Sequence, residues 1–319
     1  MNIVKRGILL LIAASAFTAH AAVWVGHEGG LREYSAAGEL VREYTGYRRP
    51  ISFAFDAERR RLWFLDSYDY KLVCFDVDAG NEVFAVAGAA HAPEVGTSKL
   101  NVYVLEKRPF EPSLSVDVGD GSVWVADFYG HEVARYDASG GEIFRSAAFH
   151  EPFAVAALGD CNAWVAGGIR TLSLVGPACE SKYNMSGVNE ARALAYDASR
   201  DLVWVADYRN NRVFAINREG RLKHKGTNVE LPDKLAVDSA RGLVWVGTTY
   251  AGVFKISADQ EKISGPLAEA GGVAALDIDA EGRLWVAYDE EEEIVCYSPG
   301  GEALLTIKRV KGLTSLAVE

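Results

Sequence analysis

The sequence predicts an all-β fold, a seven-bladed β-propeller of four-stranded antiparallel blades. Two observations predict it: tryptophans that recur at a nearly fixed interval, and chain ends that complement each other as parts of one sheet. The intervals are 39, 61, 40, 40, 41 and 40 residues, between Trp24, Trp63, Trp124, Trp164, Trp204, Trp245 and Trp285. An interval of about 40 residues is typical of one supersecondary unit that is copied along the chain.

Each tryptophan lies in an apolar run that we interpret as the second strand of a blade. In one copy, Leu235–Val237 predicts the first strand, Leu243–Gly247 the second and Val253–Ile256 the third. Such runs, bounded by Gly, Ser and Asp, are typical of a β-meander. The indoles are expected to pack between neighbouring blades. An aspartate that can cap the turn before the second strand precedes the tryptophan by seven residues in four copies and by six in the last; these are Asp56, Asp117, Asp197, Asp238 and Asp279.

The two chain ends predict how the ring closes. Ala22–Gly26 has the pattern of a second strand without a first, and Gly312–Val318 that of a first strand without a second. A blade made from both ends would leave no unpaired strand edge at either end of the ring. Six blades is the alternative if one copy is irregular, and the copy around Trp164 is the least regular because Ala157 replaces the aspartate.

The first 21 residues have the features of a secretory signal peptide, with cleavage expected before Ala22. Lys5 and Arg6 precede an apolar core, Gly7–Phe17, and small residues follow it. The propeller domain is therefore expected to span 22–319 and to be periplasmic or secreted. An insertion at about 88–112 contains the run Leu100–Leu105, which predicts a hairpin arm. A long insertion is either functional or a decoration of the repeat.

Charge restricts the classes of partner. The formal net charge is −11, and it becomes −13 when Lys5 and Arg6 leave with the signal peptide. An acidic protein is not expected to bind nucleic acid or anionic membranes, which require a basic surface. No segment of the mature chain predicts a membrane span. The expected partner is a protein, a peptide or a glycan, and no cofactor is predicted.

The four cysteines fall into two pairs. Cys161 and Cys179 flank Trp164 in turns that emerge on the same face of one blade, so a disulfide between them is expected in an oxidising compartment. Cys74 and Cys296 each follow a tryptophan by eleven residues, in blades that are too far apart for a bond. We interpret the second pair as buried free thiols.

The loops that join second to third strands emerge on one face of a propeller together with the connections between blades. We call it the upper face. These loops are aromatic and charged, a composition enriched in recognition surfaces, although the rings could instead cover gaps between blades. The candidate ligand-binding residues are Asp66, Tyr68, Tyr70, Asp127, Tyr129, His131, Asp207, Tyr208, Arg209, Tyr250, Tyr288 and Asp289.

Several of these residues have simpler interpretations. Asp66, Asp127 and Asp207 recur three residues after a tryptophan, which favours loop capping over catalysis. The acidic run Asp289–Glu293 is either a set of oxygen ligands for Ca²⁺ or another divalent metal, or a solvated surface.

The mature histidines form a second group of candidates. His27, His91, His131, His150 and, less surely, His224 map to the upper face or near it. Among them His27, His131 and His150 are candidate metal ligands, although no HxH or HExxH spacing supports a site. No catalytic triad or phosphate-binding loop is recognisable.

The fifth copy carries a family resemblance. Val203–Leu222 resembles the NHL repeat, a propeller blade with the pattern VADxxNxRV followed by a glycine, matched here by Asp207, Asn210, Arg212 and Gly220. The third copy has His131 and Glu132 in place of the polar pair. The resemblance implies a propeller that acts as a binding or scaffolding module.

A more distant resemblance connects the chain with streptogramin lyases, which are seven-bladed enzymes. Those enzymes carry a glutamate at the end of the tryptophan strand and a metal-assisted His/Glu site, whereas none of the seven strand ends has the glutamate here. A metal-assisted lyase or lactone hydrolase with its site at the mouth of the central channel is therefore the alternative function.

Overall fold

The computed structural model describes residues 22–91, 111–167, 170–259, 262–267 and 271–319. These residues form seven four-stranded antiparallel sheets arranged in a ring, which confirms the predicted propeller. The expected signal peptide and the expected arm Leu100–Leu105 lie outside the described residues. Within the described residues no helix has the length and apolar character that a membrane span requires.

In each blade the strands follow one another outwards from the channel. The first four blades contain β1 (Ala22–His27), β2 (Gly30–Ser35), β3 (Leu40–Tyr44); β4 (Pro50–Asp56), β5 (Arg61–Asp66), β6 (Lys71–Asp76), β7 (Asn81–Ala87); β8 (Ser113–Val116), β9 (Val123–Asp127), β10 (Glu132–Tyr136), β11 (Glu142–Ser146); and β12 (Ala154–Ala157), β13 (Ala163–Gly167), β14 (Thr171–Val175), β15 (Ser181–Ser186).

The fifth blade also contains a short 3₁₀ helix, Tyr208–Asn210. The last three blades and the closing strand are β16 (Ala191–Asp197), β17 (Leu202–Asp207), β18 (Arg212–Asn217), β19 (Leu222–Asn228); β20 (Pro232–Asp238), β21 (Leu243–Thr248), β22 (Val253–Ser257), β23 (Lys262–Ser264); β24 (Val273–Ile278), β25 (Leu284–Tyr288), β26 (Glu293–Tyr297), β27 (Ala303–Lys308); and β28 (Leu313–Val318).

Buried aspartates cap the turns between the first and second strands, as predicted. The Asp56 carboxylate accepts the backbone N–H of Arg59 at 3.1 Å, and Asp238 accepts that of Arg241 at 3.0 Å. The one-residue shift in the last blade has a consequence of its own, because the Asp279 carboxylate there accepts the indole N–H of Trp285 at 2.9 Å.

The hydrophobic core lies between blades. The seven tryptophans are buried, and the apolar side chains of the described residues form seven clusters, each drawn from two adjacent blades. One indole that buries about 150–250 Å² contributes roughly 4–6 kcal/mol as an upper bound. Since each cluster needs two blades, no blade completes its core alone.

The chain ends close the ring as predicted. Strand β1 pairs antiparallel with β28, and the indole N–H of Trp24 donates to the Glu319 carboxylate at 3.0 Å. The same carboxylate binds Arg60 of the second blade at 2.6 Å. On the other side, the backbone N–H of Val318 donates to Asp277 of the seventh blade at 2.9 Å. The closing segment is therefore bound to three consecutive blades.

The expected disulfide is not formed, because Cys161 and Cys179 are both free thiols. The Cys161 sulfur lies 3.6 Å from an Asp120 carboxylate oxygen, whereas Cys179 packs at the interface of the third and fourth blades. Their turns share a face but are about two strand spacings, roughly 9.6 Å, apart, beyond the reach of about 7 Å for a disulfide. Cys74 and Cys296 are buried free thiols as predicted, and burial raises the pKa of Cys74 to about 12.

Loss of packing at the closure is expected to destabilise the whole ring. Leu316 on β28 is 4% exposed in the cluster between the first and seventh blades, whereas Leu304 on β27 is 56% exposed. Leu316→Ala should lower the free energy of unfolding by about 2–5 kcal/mol, and Leu304→Ala should change it by less than about 0.5 kcal/mol. Chemical denaturation measures both, and equal losses would contradict the closure as a critical contact.

The closure also predicts a pH dependence. Burial raises the pKa of Asp277 from 3.8 to about 6. The folded chain therefore binds a proton on the Asp277 carboxyl more tightly than the unfolded chain does. The stability that this proton gives the folded state is complete below about pH 3.8 and is lost as the pH rises to about 6. Asp277→Asn should abolish this loss, which amounts to at most about 3 kcal/mol. Urea denaturation across this pH range, with the exposed Asp69→Asn as the control, measures it; identical profiles for Asp277→Asn and wild type would refute it.

Candidate functional site

Two adjacent cavities open on the upper face. The central cavity, of about 380 Å³, lies on the channel axis and is lined by residues of all seven blades. The lateral cavity, of about 120 Å³, lies between the second and third blades. Both cavities are lined by Arg49, Glu111 and Pro112, so they lie side by side and share these residues; together we call them the groove.

An ion pair marks the junction of the two cavities. Arg49 and Glu111 precede the inner strands β4 and β8, and the guanidinium lies 3.0 Å from the carboxylate. Arg49 also donates to the Ser67 hydroxyl at 3.2 Å. A partly exposed ion pair of this kind adds little to stability. However, the chain connections that carry Arg49 and Glu111 fix where a donor and an acceptor face the groove.

The lateral cavity contains two of the predicted ligand-binding residues. Tyr70 on the β5–β6 loop and Tyr129 on the β9–β10 loop are half-buried and line it together with His91. Tyr129 packs edge-on against buried Phe128, with ring centroids 5.1 Å apart. Each tyrosine combines a large apolar surface with a hydroxyl. The structure therefore brings this part of the predicted set together.

Two of the recurrent upper-face aspartates are loop caps, as predicted. The Asp66 carboxylate accepts the backbone N–H groups of Arg48 and Arg49 at 3.0 and 3.1 Å. The Asp207 carboxylate accepts the N–H of Asn189 at 2.7 Å. Both aspartates therefore tie the end of a second strand to the connection that enters their own blade.

Asp127 occupies the same position but has a different partner. It is 1% exposed, and its Oδ2 lies 2.7 Å from Nδ1 of His91. Its Oδ1 has no partner among the described residues. The Oε1 of Glu132, at the start of β10, lies 3.8 Å from the same His91 nitrogen. One imidazole and two carboxylates therefore converge beside the lateral cavity.

Two predicted aromatic residues are structural instead. Tyr208 is buried, and the Arg192 guanidinium lies 3.4 Å from its ring centroid. Tyr288 is also buried, with its hydroxyl 3.2 Å from that of Tyr297. These two rings fill space between blades, as expected if aromatic residues of the upper-face loops cover gaps instead of binding a ligand.

The remaining predicted residues lie apart from the lateral cavity. Tyr250 on the sixth blade is 55% exposed, and Tyr68 stacks on Arg48 outside the groove. Arg209 is bound to Glu190 at 2.8 Å. Asp289 lines the central cavity only. The predicted set is therefore not one surface.

The predicted metal ligand His27 does not join a cluster of ligand residues within the part of the chain that the structure describes. It is buried, its Nε2 lies 3.5 Å from Glu43, and burial lowers its pKa. His224 is not on the upper face, because its ring is buried on the outer strand β19 against Trp204, with centroids 4.9 Å apart.

His131 and His150 do lie together, with ring centroids 4.9 Å apart and the Glu151 carboxylate nearby. However, Nδ1 of His131 accepts the backbone N–H of Glu151 at 3.2 Å. That bond uses the Nδ1 lone pair, so the neutral ring carries its proton on Nε2 and offers no free lone pair to a metal.

The mouth of the central channel is lined by compensated charges. Arg192 lies 2.5 Å from Glu190 and 3.7 Å from Asp233, and Lys234 lies 3.6 Å from Asp233. These carboxylates are therefore engaged by cations rather than converging on a common point.

Sequence reasoning missed the residues on the connections between blades. Arg49 and Glu111 are absent from the predicted set, and His91 belongs to it only as one of five histidines near the upper face. The sequence does contain a signal for Glu111, because Glu111 and Glu151 each stand thirteen residues before their tryptophan. That position lies just before the inner strand of the blade, beside the channel.

Comparison with known proteins supports the fold. No protein-family model and no curated protein sequence matches the chain. Among solved structures, the chain is similar to a streptogramin B lyase, with 14% identity, a TM-score of 0.64 and coverage of 82% of this chain and 83% of the other. It is similar to a chain of a nidogen/laminin complex, with 10% identity, a TM-score of 0.56 and coverage of 93% and 98%.

A third similar structure is a protein of unknown function from Desulfotomaculum acetoxidans, with 11% identity, a TM-score of 0.72 and coverage of 94% and 99%. At such identities the likeness shows the fold alone. The chain is therefore a seven-bladed β-propeller, and its assignment to the NHL family stays a prediction.

Substitution of the capping Asp66 is expected to lower the free energy of unfolding more than substitution of Asp127, which contacts His91. Asp66→Ala leaves three backbone N–H groups, of Arg48, Arg49 and Tyr68, without their acceptor and should cost about 2–4 kcal/mol of unfolding free energy. Asp127→Ala should cost less than about 1 kcal/mol, since no backbone N–H of the described residues donates to it. Chemical denaturation of both variants measures the difference, and similar costs would show that Asp127 is a structural cap.

Proposed function

We propose that the chain is an exported binding module that takes an extended peptide segment of a partner protein in the groove. The observation that carries the proposal is that the lateral and central cavities lie side by side and meet at Arg49 and Glu111. Two adjacent cavities in a row suit a chain-like ligand better than a compact one. Export rests on the signal peptide expected from residues 1–21.

The groove chemistry favours a peptide over a glycan. Arg49 supplies donors and Glu111 an acceptor, which match the carbonyl and N–H groups of a peptide backbone. Tyr70 and Tyr129 supply apolar area with a hydroxyl for side chains. A sugar-binding face would need exposed aromatic rings, and the exposed Tyr68 and Tyr250 lie outside the groove.

The arrangement at the channel mouth favours binding over the alternative of a metal-assisted lyase or lactone hydrolase with its site at that mouth. Such an enzyme needs carboxylate or imidazole ligands that converge on one point. The channel-mouth carboxylates Glu190 and Asp233 are paired with Arg192 and Lys234 instead. The likeness to a streptogramin B lyase supports the fold and adds nothing on catalysis.

The test is selection from a random peptide display library on the purified protein, followed by affinity measurement of the selected peptides. Truncation of a central interface tyrosine commonly costs more than about 1 kcal/mol, so Tyr70→Ala with Tyr129→Ala should weaken binding by at least about 10-fold. Tyr250→Ala removes a tyrosine of the same face outside the groove and should leave the affinity unchanged.

Two outcomes would overturn the proposal. Selected peptides that bind the double variant as tightly as the wild type would place the site elsewhere. Failure to select any peptide, with specific binding to a glycan array, would replace the ligand class.

A further inference from the structure

We propose that His91, Asp127 and Glu132 form a binding site for a divalent transition metal of the zinc type. The three ligand atoms lie within 4.8 Å of one another. Asp127 and Glu132 face each other as cross-strand partners at the end of β9 and the start of β10. Two ligands are thus fixed by one hairpin, and the third comes from the connection that follows β7.

The surroundings of the Asp127 carboxylate point to a bound cation. Its carboxylate is buried, and His91 is its one partner among the described residues. The equivalent carboxylates of Asp66 and Asp207 are each bound by several N–H groups. A buried carboxylate is costly unless it is paired and hydrogen-bonded, and a bound cation would supply the partner that the described residues do not give to its Oδ1.

Gly130 keeps the space for this contact. A Cβ atom at that position would clash with Nδ1 of His91 and with Oδ2 of Asp127. His91 is half exposed and lines the lateral cavity, so the cluster has a path to solvent. An open position for water or an exchangeable ligand is the feature that separates reactive zinc sites from closed ones.

The donor set selects the class of metal. One imidazole and two carboxylates suit Zn²⁺ and its divalent neighbours, whereas Ca²⁺ and Mg²⁺ prefer oxygen ligands throughout. Tetrahedral ligands at bond lengths of about 2.1 Å are about 3.4 Å apart. The distances of 2.7 and 3.8 Å from Nδ1 of His91 to the two carboxylates bracket that separation.

Arg145 is the competing cation at this site. Its guanidinium pairs with the Glu132 carboxylate and also lies 3.0 Å from Glu142. A metal would take over the Glu132 oxygen, and Arg145 already has a second carboxylate to hold it.

The test is titration of the untagged, chelator-treated protein with Zn²⁺ by calorimetry and with Co²⁺ by visible absorption. We expect one equivalent to bind, with the absorption of a four-coordinate Co²⁺ centre. His91→Ala and Glu132→Gln should each weaken binding by about 100-fold, and Gly130→Ala should weaken it because its methyl group fills the site. His150→Ala removes a histidine of the neighbouring cluster and should leave binding unchanged.

Each contrary result has a definite meaning. Absence of stoichiometric binding would overturn the site. Binding that survives His91→Ala, or that is lost in His150→Ala, would show an adventitious ion or a site at His131 and His150. Tryptophan fluorescence verifies that each variant is folded. Because the probe is the metal alone, the result is independent of whether the groove binds a peptide.

Discussion

The pairing of β28 with β1 is the constraint on which the rest of the structure depends. Each blade buries its apolar faces against two neighbours, so an open ring would expose two incomplete interfaces rather than one loose strand. The Glu319 carboxylate joins the indole of Trp24 to Arg60 of the next blade, and Asp277 receives the N–H of Val318. A contact formed by the last few residues therefore completes the core of the first and seventh blades.

The closed ring also positions the groove. The Asp66 cap fixes the backbone of Arg49, and the guanidinium of that residue reaches Glu111 of the next blade. A cap that also occurs at Asp207 of the fifth blade thus aims a polar side chain of the second blade at the junction of the two cavities. The upper-face site is built on connections whose geometry is set by caps and strand register, and this is how a rigid scaffold presents loop residues.

The repeat in the sequence predicts the number of blades and the closure of the ring, but it does not predict the directions of side chains on the loops. The tryptophan interval and the complementary ends determine blade number and closure, because strand register and burial repeat with them. Side-chain direction on a loop does not repeat in this way. Tyr208 packs under Arg192, and Cys161 and Cys179 lie in two separate turns of one blade as free thiols. The contact of His91 with Asp127 joins residues 36 positions apart through a connection whose path no local pattern specifies.

Equivalent positions in different blades of this propeller can be compared with one another, and the comparison distinguishes Asp127 from Asp66 and Asp207. Asp66 and Asp207 show what an aspartate three residues after the tryptophan does when its role is structural: it binds backbone N–H groups of the preceding connection. Asp127 keeps the position and the burial but exchanges those partners for an imidazole that faces a cavity. Three blades have an aspartate at this position, and two of the three use it as a cap. In the third of these blades the aspartate instead lies beside the only described histidine that lines either of the two cavities.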